Sequence, residues 1–496
     1  MRIAGRARLR ASATTVDAAV VIALLGVFAA LAVRRPVDVD EGSYLLAAKL
    51  ALDGVVLYSD FLYVQMPLLP YVYGAWTVLV GESWLWARVL SACFAAALGA
   101  LLYRSLAARF GRPLGALGVA LYLASPLVFT WYATVKTYAL STLLLFAAYA
   151  LVVRGSSASW ARWLAAGVTT GLAIDTRLIF AVVLPALAWA AWRVQASGRT
   201  QRLTAFGGGL LVGLIPVLIF FASDPDRFFF DNVGYHGARN PEGLLGNIDQ
   251  KLEGAVGMLG FVPYVLLLAG ALVAGIVLHR LEGRVPLSVL LGGSLSAGSL
   301  APTPTYEQYF CTAVPFLAVA SVELVAAMRG RPGLKADATL RHVVGSMAAI
   351  TLTVYVGLGA YNLVSLVGST SRPFARIDSI ERVTAIVDER SRRGEEVLTS
   401  WPGYLFGTHA RPVPGTENDF AAHAALELSP EQADRYRLAT GEELEAEILE
   451  RRTRIVVFKI WHPLPPELIW AELAERSGYR LVADVDSVRV YELPRN

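Results

Sequence analysis

The chain is poor in charge, in cysteine and in histidine, and each scarcity removes a class of function. Only 17% of its 496 residues are charged, against 55% that are hydrophobic, a balance outside the range of soluble globular domains. Two cysteines, Cys93 and Cys311, are too few for a disulfide framework, and their apolar surroundings read them as small buried hydrophobes. Six scattered histidines form no set with metal-ligand spacing. Neither a Walker-type phosphate loop nor a glycine-rich nucleotide fingerprint occurs, since Gly207-Gly208-Gly209 lies inside an apolar run with no GKS after it. The formal net charge of +4 sits mainly in short loops and leaves no nucleic-acid footprint. Internal repeats and low-complexity tracts are also absent from the sequence.

What the chain has instead is apolar runs of membrane length. Mean hydropathy is +0.50, and about eleven runs are centred near residues 24, 94, 122, 145, 168, 185, 213, 267, 293, 317 and 354. Basic residues recur at every second connection: Arg104, Arg109 and Arg112; Arg154 and Arg162; Arg193, Arg199 and Arg202; His279, Arg280 and Arg284; Arg329, Arg331, Lys335 and Arg341. Lys and Arg near span ends stay on the cytoplasmic side. The expected topology therefore has the N-terminus cytoplasmic, with the run from Thr15 to Val33 a retained anchor, and the C-terminal region outside. The expected fold is an α-helical polytopic membrane protein, residues 1–366, followed by a small extracytoplasmic α/β domain, residues 367–496.

Two short apolar stretches in the first outer loop, residues 34–82, read as helices lying along the interface: Tyr44 to Leu52, and Leu68 to Val80 after Pro67. Beyond residue 366 the patterning predicts helices over Arg376–Arg393, Pro430–Arg437 and Glu442–Arg451. Strands are expected at Val397–Ser400, Arg454–Lys459, Arg480–Asp484 and Val488–Glu492.

Candidate functional residues gather on the expected outer face. Asp38, Asp40 and Glu41 follow the first run within a few residues, and carboxylates so close to a bilayer are costly unless they have a task. A solvated acidic loop, or a cap on the following helix, is the alternative. Asp38 and Asp40 alone are a pair and not a metal site. Arg88, Lys136 and Arg177 are outer-facing cations suited to a phosphate, or to interfacial snorkelling. The loop Asp231 to Asn240 concentrates Tyr235, His236 and Arg239 between Phe-rich flanks, and Tyr306, Glu307, Gln308 and Tyr309 precede another apolar run. Ser400-Trp401-Pro402-Gly403-Tyr404 and Arg411 to Asn418 fit sugar or peptide binding, and equally ordinary turns.

The membrane part, about residues 15 to 365, resembles the GT-C superfamily of polyprenyl-phosphate-sugar-dependent glycosyltransferases, in its protein O-mannosyltransferase-like and aminoarabinose-transferase-like members. The resemblance lies in Asp40-Glu41-Gly-Ser-Tyr44 after the first span, Asp60 in Tyr58-Ser-Asp60-Phe, and Gln65-Met66-Pro67-Leu68-Leu69-Pro70. Met66 replaces the first of the family's paired prolines, and Gln65 stands where a basic residue is frequent. The resemblance implies transfer of a monosaccharide, with inversion, from a polyprenyl-phosphate donor to a glycan, lipid or protein acceptor. Asp40 would take the acceptor hydroxyl's proton, with Glu41 orienting it. Arg88, Arg177, Lys136 and Arg239 would receive the donor phosphate. Tyr44, Asp60, Gln65, Tyr235, His236, Tyr306, Glu307, Gln308 and Tyr309 would contact substrate. No cofactor is required by the sequence, and a divalent metal is unsupported. A transporter or lipid flippase is the alternative, and would call for ionisable groups near span centres.

Overall fold

A computed structural model describes residues 2–153, 159–193, 198–238, 243–302, 304–330, 353–366, 372–419, 428–459 and 470–494, with the side chains of 2–14, 238, 243–247 and 330 outside the description. Its first part is helical: α1 (Arg2–Arg34), α2 (Val39–Leu52), α3 (Leu68–Val80), α4 (Trp84–Phe110), α5 (Arg112–Leu123), α6 (Pro126–Trp131), α7 (Thr137–Val153), α8 (Trp160–Thr176) and α9 (Leu184–Arg193). There follow α10 (Arg199–Gly213), α11 (Ile215–Ser223), α12 (Pro225–Phe229), a π-turn at Phe230–Gly234, α13 (Tyr235–Ala238), α14 (Gly243–Gly260), α15 (Val262–Glu282), α16 (Leu287–Gly298), α17 (Val314–Gly330) and α18 (Thr353–Leu366).

Among the described residues, four helical segments are long and apolar enough to cross a bilayer: Thr15–Arg34, Trp84–Phe110, Val262–Glu282 and Glu307–Arg329. A fifth, α10 with α11, qualifies as a pair bent by 54°, at the break before Pro216. Each of the eleven expected centres falls on a helix, although the remaining helices are shorter than a full span. Cys93 departs from expectation, since it is exposed on the outside of the bundle while Cys311 is buried.

Close helix approach explains Gly167 and Gly171 of α8 and Gly209 and Gly213 of α10. A Cβ at Gly167 would stand 2.1 Å from the Phe206 carbonyl oxygen, and one at Gly209 would stand 2.1 Å from that of Leu164. Gly171 and Gly213 repeat the contact one turn on. The two helices thus cross backbone to backbone, as small-xxx-small pairs allow.

The C-terminal part contains α19 (Ile377–Arg390), α20 (Pro430–Arg435), α21 (Gly441–Leu449) and α22 (Trp470–Arg476). They accompany strands β1 (Glu396–Thr399), β2 (Arg411–Pro412), β3 (Ile455–Phe458), β4 (Arg480–Val485) and β5 (Val488–Glu492). The strands form one sheet in the order β2-β1-β3-β5-β4, parallel on the β2-β1-β3 side and antiparallel from β3 to β4. Asp486 and Ser487, both at positive φ, make the tight turn of the β4–β5 hairpin. The four expected strands are present within a residue or two, whereas β2 and α22 carry too little periodic pattern to be read from sequence.

This domain changes the reading of α2. The expected surface helix is buried along Glu41 to Leu50, because the 3₁₀ turn at Pro402–Leu405 lies across it. The Trp401 indole N–H donates to the Val39 carbonyl at 2.7 Å, and its ring stacks on Trp84 with centroids 5.5 Å apart. A Cβ at Gly42 would stand 2.6 Å from the Trp401 ring and 2.8 Å from the Gly403 Cα. Glycine at position 42 is what lets the domain seat. Trp401 is fully buried here, so the Ser400–Tyr404 segment serves docking in place of ligand binding.

Candidate active site

The α1–α2 connection is organised by its own side chains. Asp38 caps α2 by accepting from the Asp40 N–H at 3.2 Å, and Glu41 returns a capping-box bond from the Asp38 N–H at 2.8 Å. Two of the three acidic residues are therefore committed to helix geometry, as the capping alternative anticipated.

Glu41 has a second partner that removes it from the substrate side. Its two oxygens accept a fork from Arg88, at 2.9 Å from Nε and 2.6 Å from Nη2, and the Val135 N–H also donates at 2.9 Å. The remaining Arg88 donors reach the carbonyls of Ala32, Arg35 and Pro36 at 3.2, 2.5 and 2.9 Å. All five guanidinium N–H groups are thus used, and both side chains are fully buried. Where the sequence expected a phosphate contact for Arg88 and an orienting role for Glu41, the two side chains are committed to each other and to backbone groups. Together they tie α1, α2, α4 and the segment before α7 into one frame.

Asp40 and Asp38 share a cation. The Lys136 ammonium stands 2.6 Å from an oxygen of each and 4.7 Å from the Trp131 ring centroid. Burial works against the Asp38 carboxylate, but Lys136 and then Arg35 beside it hold its pKa below the ordinary value. For Lys136 burial acts downward and the two aspartates outweigh it, so the ammonium is held well above its usual range. Lys136 thereby fixes the direction of Asp40, which keeps some exposure, its side chain being 17% accessible.

A cavity of about 530 Å³ is lined among others by Gln65, Arg177, Asn232, His236 and Tyr309, while Asp38, Asp40 and Lys136 lie outside its lining. Four sequence candidates, Gln65, Arg177, His236 and Tyr309, meet on its wall. Arg177 lies between α8 and the 3₁₀ turn Leu178–Val183, with its guanidinium carbon 4.7 Å from the Tyr138 ring centroid and 5.0 Å from that of Tyr309. One nitrogen donates to the Thr137 hydroxyl at 3.0 Å. Tyr44 links cluster and cavity, since its buried phenol lies in the fields of Asp40, Lys136, Arg177 and Tyr309.

The wall is held by strained and irregular backbone. Tyr58 adopts a φ of 68°, uncommon for a bulky residue. Its ring is pinned against Tyr63, Phe220 and Phe228, and its hydroxyl donates to the Gln65 carbonyl at 2.7 Å. The π-turn at Phe230–Gly234 aims Asn232 at the cavity, while the Asp231 carboxyl accepts from the Tyr63 N–H at 2.9 Å.

Other candidates lie elsewhere. Asp60 is exposed and closes a turn by accepting from the Val56 N–H at 2.7 Å. Tyr235 is buried in a small core with Leu62, Val64, Phe230 and Leu438. Tyr306 and Glu307 are exposed and Gln308 is half-buried, and none of the three lines the cavity, although the Tyr306 ring meets Tyr309. Arg239 falls outside the described residues. Among the described residues no three His, Cys, Asp or Glu side chains are placed to hold a metal.

Sequence reasoning passed over three participants. Asn232 had no motif. Arg35, whose guanidinium lies 4.6 Å over the Trp131 ring with Nη1 buried and without a hydrogen-bond partner, was not singled out either. Asp419 of the C-terminal domain accepts from the Ser43 hydroxyl at 2.5 Å, one turn along α2 from Asp40. Only the fold brings residues 376 positions apart together.

Comparison with known proteins agrees with this architecture. Residues 64–221 match the family model described as dolichyl-phosphate-mannose-protein mannosyltransferase. The fold is similar to ArnT from Cupriavidus metallidurans bound to undecaprenyl phosphate, at 15% identity and a TM-score of 0.64, covering 97% of this chain and 98% of that one. It is similar to the apo state of the same protein, at 13% identity and a TM-score of 0.65 with the same coverage. No curated protein sequence matches the chain. The chain thus has the GT-C fold, a helical part with apolar helices of membrane length followed by a small C-terminal sheet.

Proposed function

We propose that this chain transfers a monosaccharide from a polyprenyl-phosphate carrier to a glycan, lipid or protein acceptor at the extracytoplasmic side of the membrane. The observation that carries the reading is Arg177: a guanidinium held between two tyrosine rings on a cavity wall, with donors left over, and linked to the Asp40–Lys136 pair through Tyr44. Such a planar cation suits phosphate oxygens. The undecaprenyl phosphate bound by the similar ArnT supports a polyprenyl carrier.

The step follows from these groups. The acceptor oxygen attacks the anomeric carbon, the carbon–oxygen bond to phosphate breaks, and the phosphate leaves with the bonding electrons toward Arg177. Asp40, directed by Lys136, takes the acceptor's proton as the new bond forms. Displacement from the opposite face inverts the anomeric centre. Tyr44, Gln65, His236 and Tyr309 supply the surrounding surface for sugar and acceptor, and Asn232 joins them. The division near residue 366, with the N-terminus cytoplasmic and both site and sheet domain outside, belongs to the same proposal. It rests on the alternation of basic loops.

The test is transfer in reconstituted vesicles with a panel of radiolabelled polyprenyl-phosphate sugars. Wild type is expected to give a labelled acceptor product, and Asp40→Asn to lose it while inserting normally. Movement of the labelled donor across the bilayer without any covalent product would favour the flippase reading instead.

A further inference from the structure

The far end of α4 carries a second cavity, of about 790 Å³, which shares no lining residue with the first. Arg88, at the candidate active site, and Arg109, on the wall of this cavity, are separated by roughly 30 Å of helix axis. That is the thickness of a hydrocarbon core, so the cavity opens at the opposite leaflet, among the loops where basic residues collect.

Its floor is polar and satisfied. Glu323 of α17 accepts from an Arg109 nitrogen at 2.5 Å and from the Ser288 hydroxyl, and Arg109 also donates to the Tyr149 hydroxyl at 3.0 Å. Four helices, α4, α7, α16 and α17, meet in this network. The rim is basic. Arg284 pairs with Glu282 at 2.9 Å. Arg193 has no carboxylate within ion-pair distance among the described residues, and lies 4.6 Å over the Trp189 ring. Three arginines thus face two glutamates that already have partners, and the positive charge left over sits at the rim beside a tryptophan, between apolar walls.

We infer that this cavity binds the phosphate headgroup of an anionic glycerophospholipid from the leaflet on the basic side. Charge complementarity selects an anion, since the carboxylates are neutralised within the cavity and Arg193 is not. The guanidinium fork selects phosphate. Apolar walls opening at the leaflet select an amphiphile, with Trp189 at headgroup depth. Anionic phospholipid is the amphiphile of this kind most concentrated at such a surface, and basic pockets between membrane helices commonly take these headgroups. Bound lipid would wedge the α4–α7 side of the bundle against α9 and α15.

Native mass spectrometry of the detergent-purified full chain, titrated with phosphatidylglycerol and in parallel with phosphatidylcholine, tests the inference. Phosphatidylglycerol is expected to be retained in preference, and R193Q/R284Q to lose roughly fivefold of that retention for each arginine removed. Ala190→Phe, which fills the cavity and keeps every charge, is expected to weaken retention as well. Sugar transfer by R193Q/R284Q should be unchanged, which separates this site from the candidate active site. Equal retention of the two lipids would overturn the inference, as would full retention by the filled variant, which would mark a surface charge effect only. Displacement of phosphatidylglycerol by millimolar inorganic phosphate, or by equimolar polyprenyl phosphate, would overturn the assignment to a phospholipid.

Discussion

Helix α4 carries an arginine near each end, and each is paired with a buried glutamate, Arg88 with Glu41 at 2.6 Å and Arg109 with Glu323 at 2.5 Å. The two pairs have opposite characters. At the Arg88 end both side chains are sealed from solvent and every donor is taken. At the Arg109 end the guanidinium side chain is 29% accessible and borders a cavity. An arginine in an apolar helix is thus either part of the frame or part of a binding surface, and its unused donors decide which. The cations of the candidate site lie next to the frame: Arg177 on the cavity wall, and Lys136 holding Asp40.

The largest effect that would sharpen this contrast is on turnover. Asp40→Asn is expected to lower sugar transfer by roughly 10²–10⁴-fold, the range for losing a general base, while Arg109→Gln at the other end leaves transfer near wild type. Steady-state rates on matched membrane preparations decide it, and comparable losses in both variants would erase the distinction between the ends.

Stability gives the next contrast. Arg88→Met leaves Glu41 charged, buried and deprived of its fork, a loss of about 3–5 kcal/mol seen as failed insertion or a much lower Tm. Arg109→Met leaves Glu323 its Ser288 bond beside a partly open cavity, and is expected to lose on the order of 1 kcal/mol. Removing both partners with Glu41→Leu and Arg88→Met together should restore part of the loss, because no unpaired charge remains. A double variant worse than R88M alone would mean that the carbonyl contacts of Arg88, and not Glu41, hold the frame.

Much of this was legible in the chain and one part was not. Hydrophobic run length located the helices, because burial in lipid demands a continuous apolar stretch wherever it occurs. The acidic segment after the first run stood out because charge near a bilayer is rare. Sequence marks a charge without marking its partners, however. Arg88 and Arg177 read alike as outer arginines, yet one is enclosed by carbonyls and Glu41 while the other keeps donors toward a cavity. Tyr235 and Trp401 were open to substrate contact or to packing and turn roles by sequence, and the fold buries both among packing neighbours, since an aromatic side chain serves either role and only its neighbours decide. Asp419 was invisible for the converse reason, that its partner Ser43 belongs to another domain.

Smaller effects probe what surrounds the frame. Arg177→Lys keeps charge and loses the fork and the ring stacking, so the donor KM should rise roughly tenfold with a smaller change in kcat. An unchanged KM would exclude phosphate contact at this position. Gly42→Ala introduces a Cβ into the Trp401 ring, and is expected to destabilise domain seating by about 1–3 kcal/mol. Increased protease cleavage between residues 366 and 396 would report it, and an unchanged pattern would show that the domain seats by other contacts.

The smallest effect depends on pH and belongs to the active-site end alone. Burial pushes the Asp419 carboxyl from an ordinary 3.8 up to about 7, with Asp40 and Asp38 pushing the same way and the Ser43 hydrogen bond opposing them. Between those two values the folded protein holds a proton that the unfolded chain has lost. Stability therefore falls as pH rises through that window and stays at its lower level above about 7. Thermal unfolding between pH 5 and 8 should accordingly give a wild-type midpoint that drops by about a degree or two. Asp419→Asn, which cannot ionise, should flatten that part of the slope, and R193Q/R284Q at the far end should leave it as in wild type. If the Asn variant kept the full slope, the pH response would have to be sought away from the contact between Ser43 and the sheet domain. The domain would then rest on α2 through Trp401 and Gly42 without an acid holding it down.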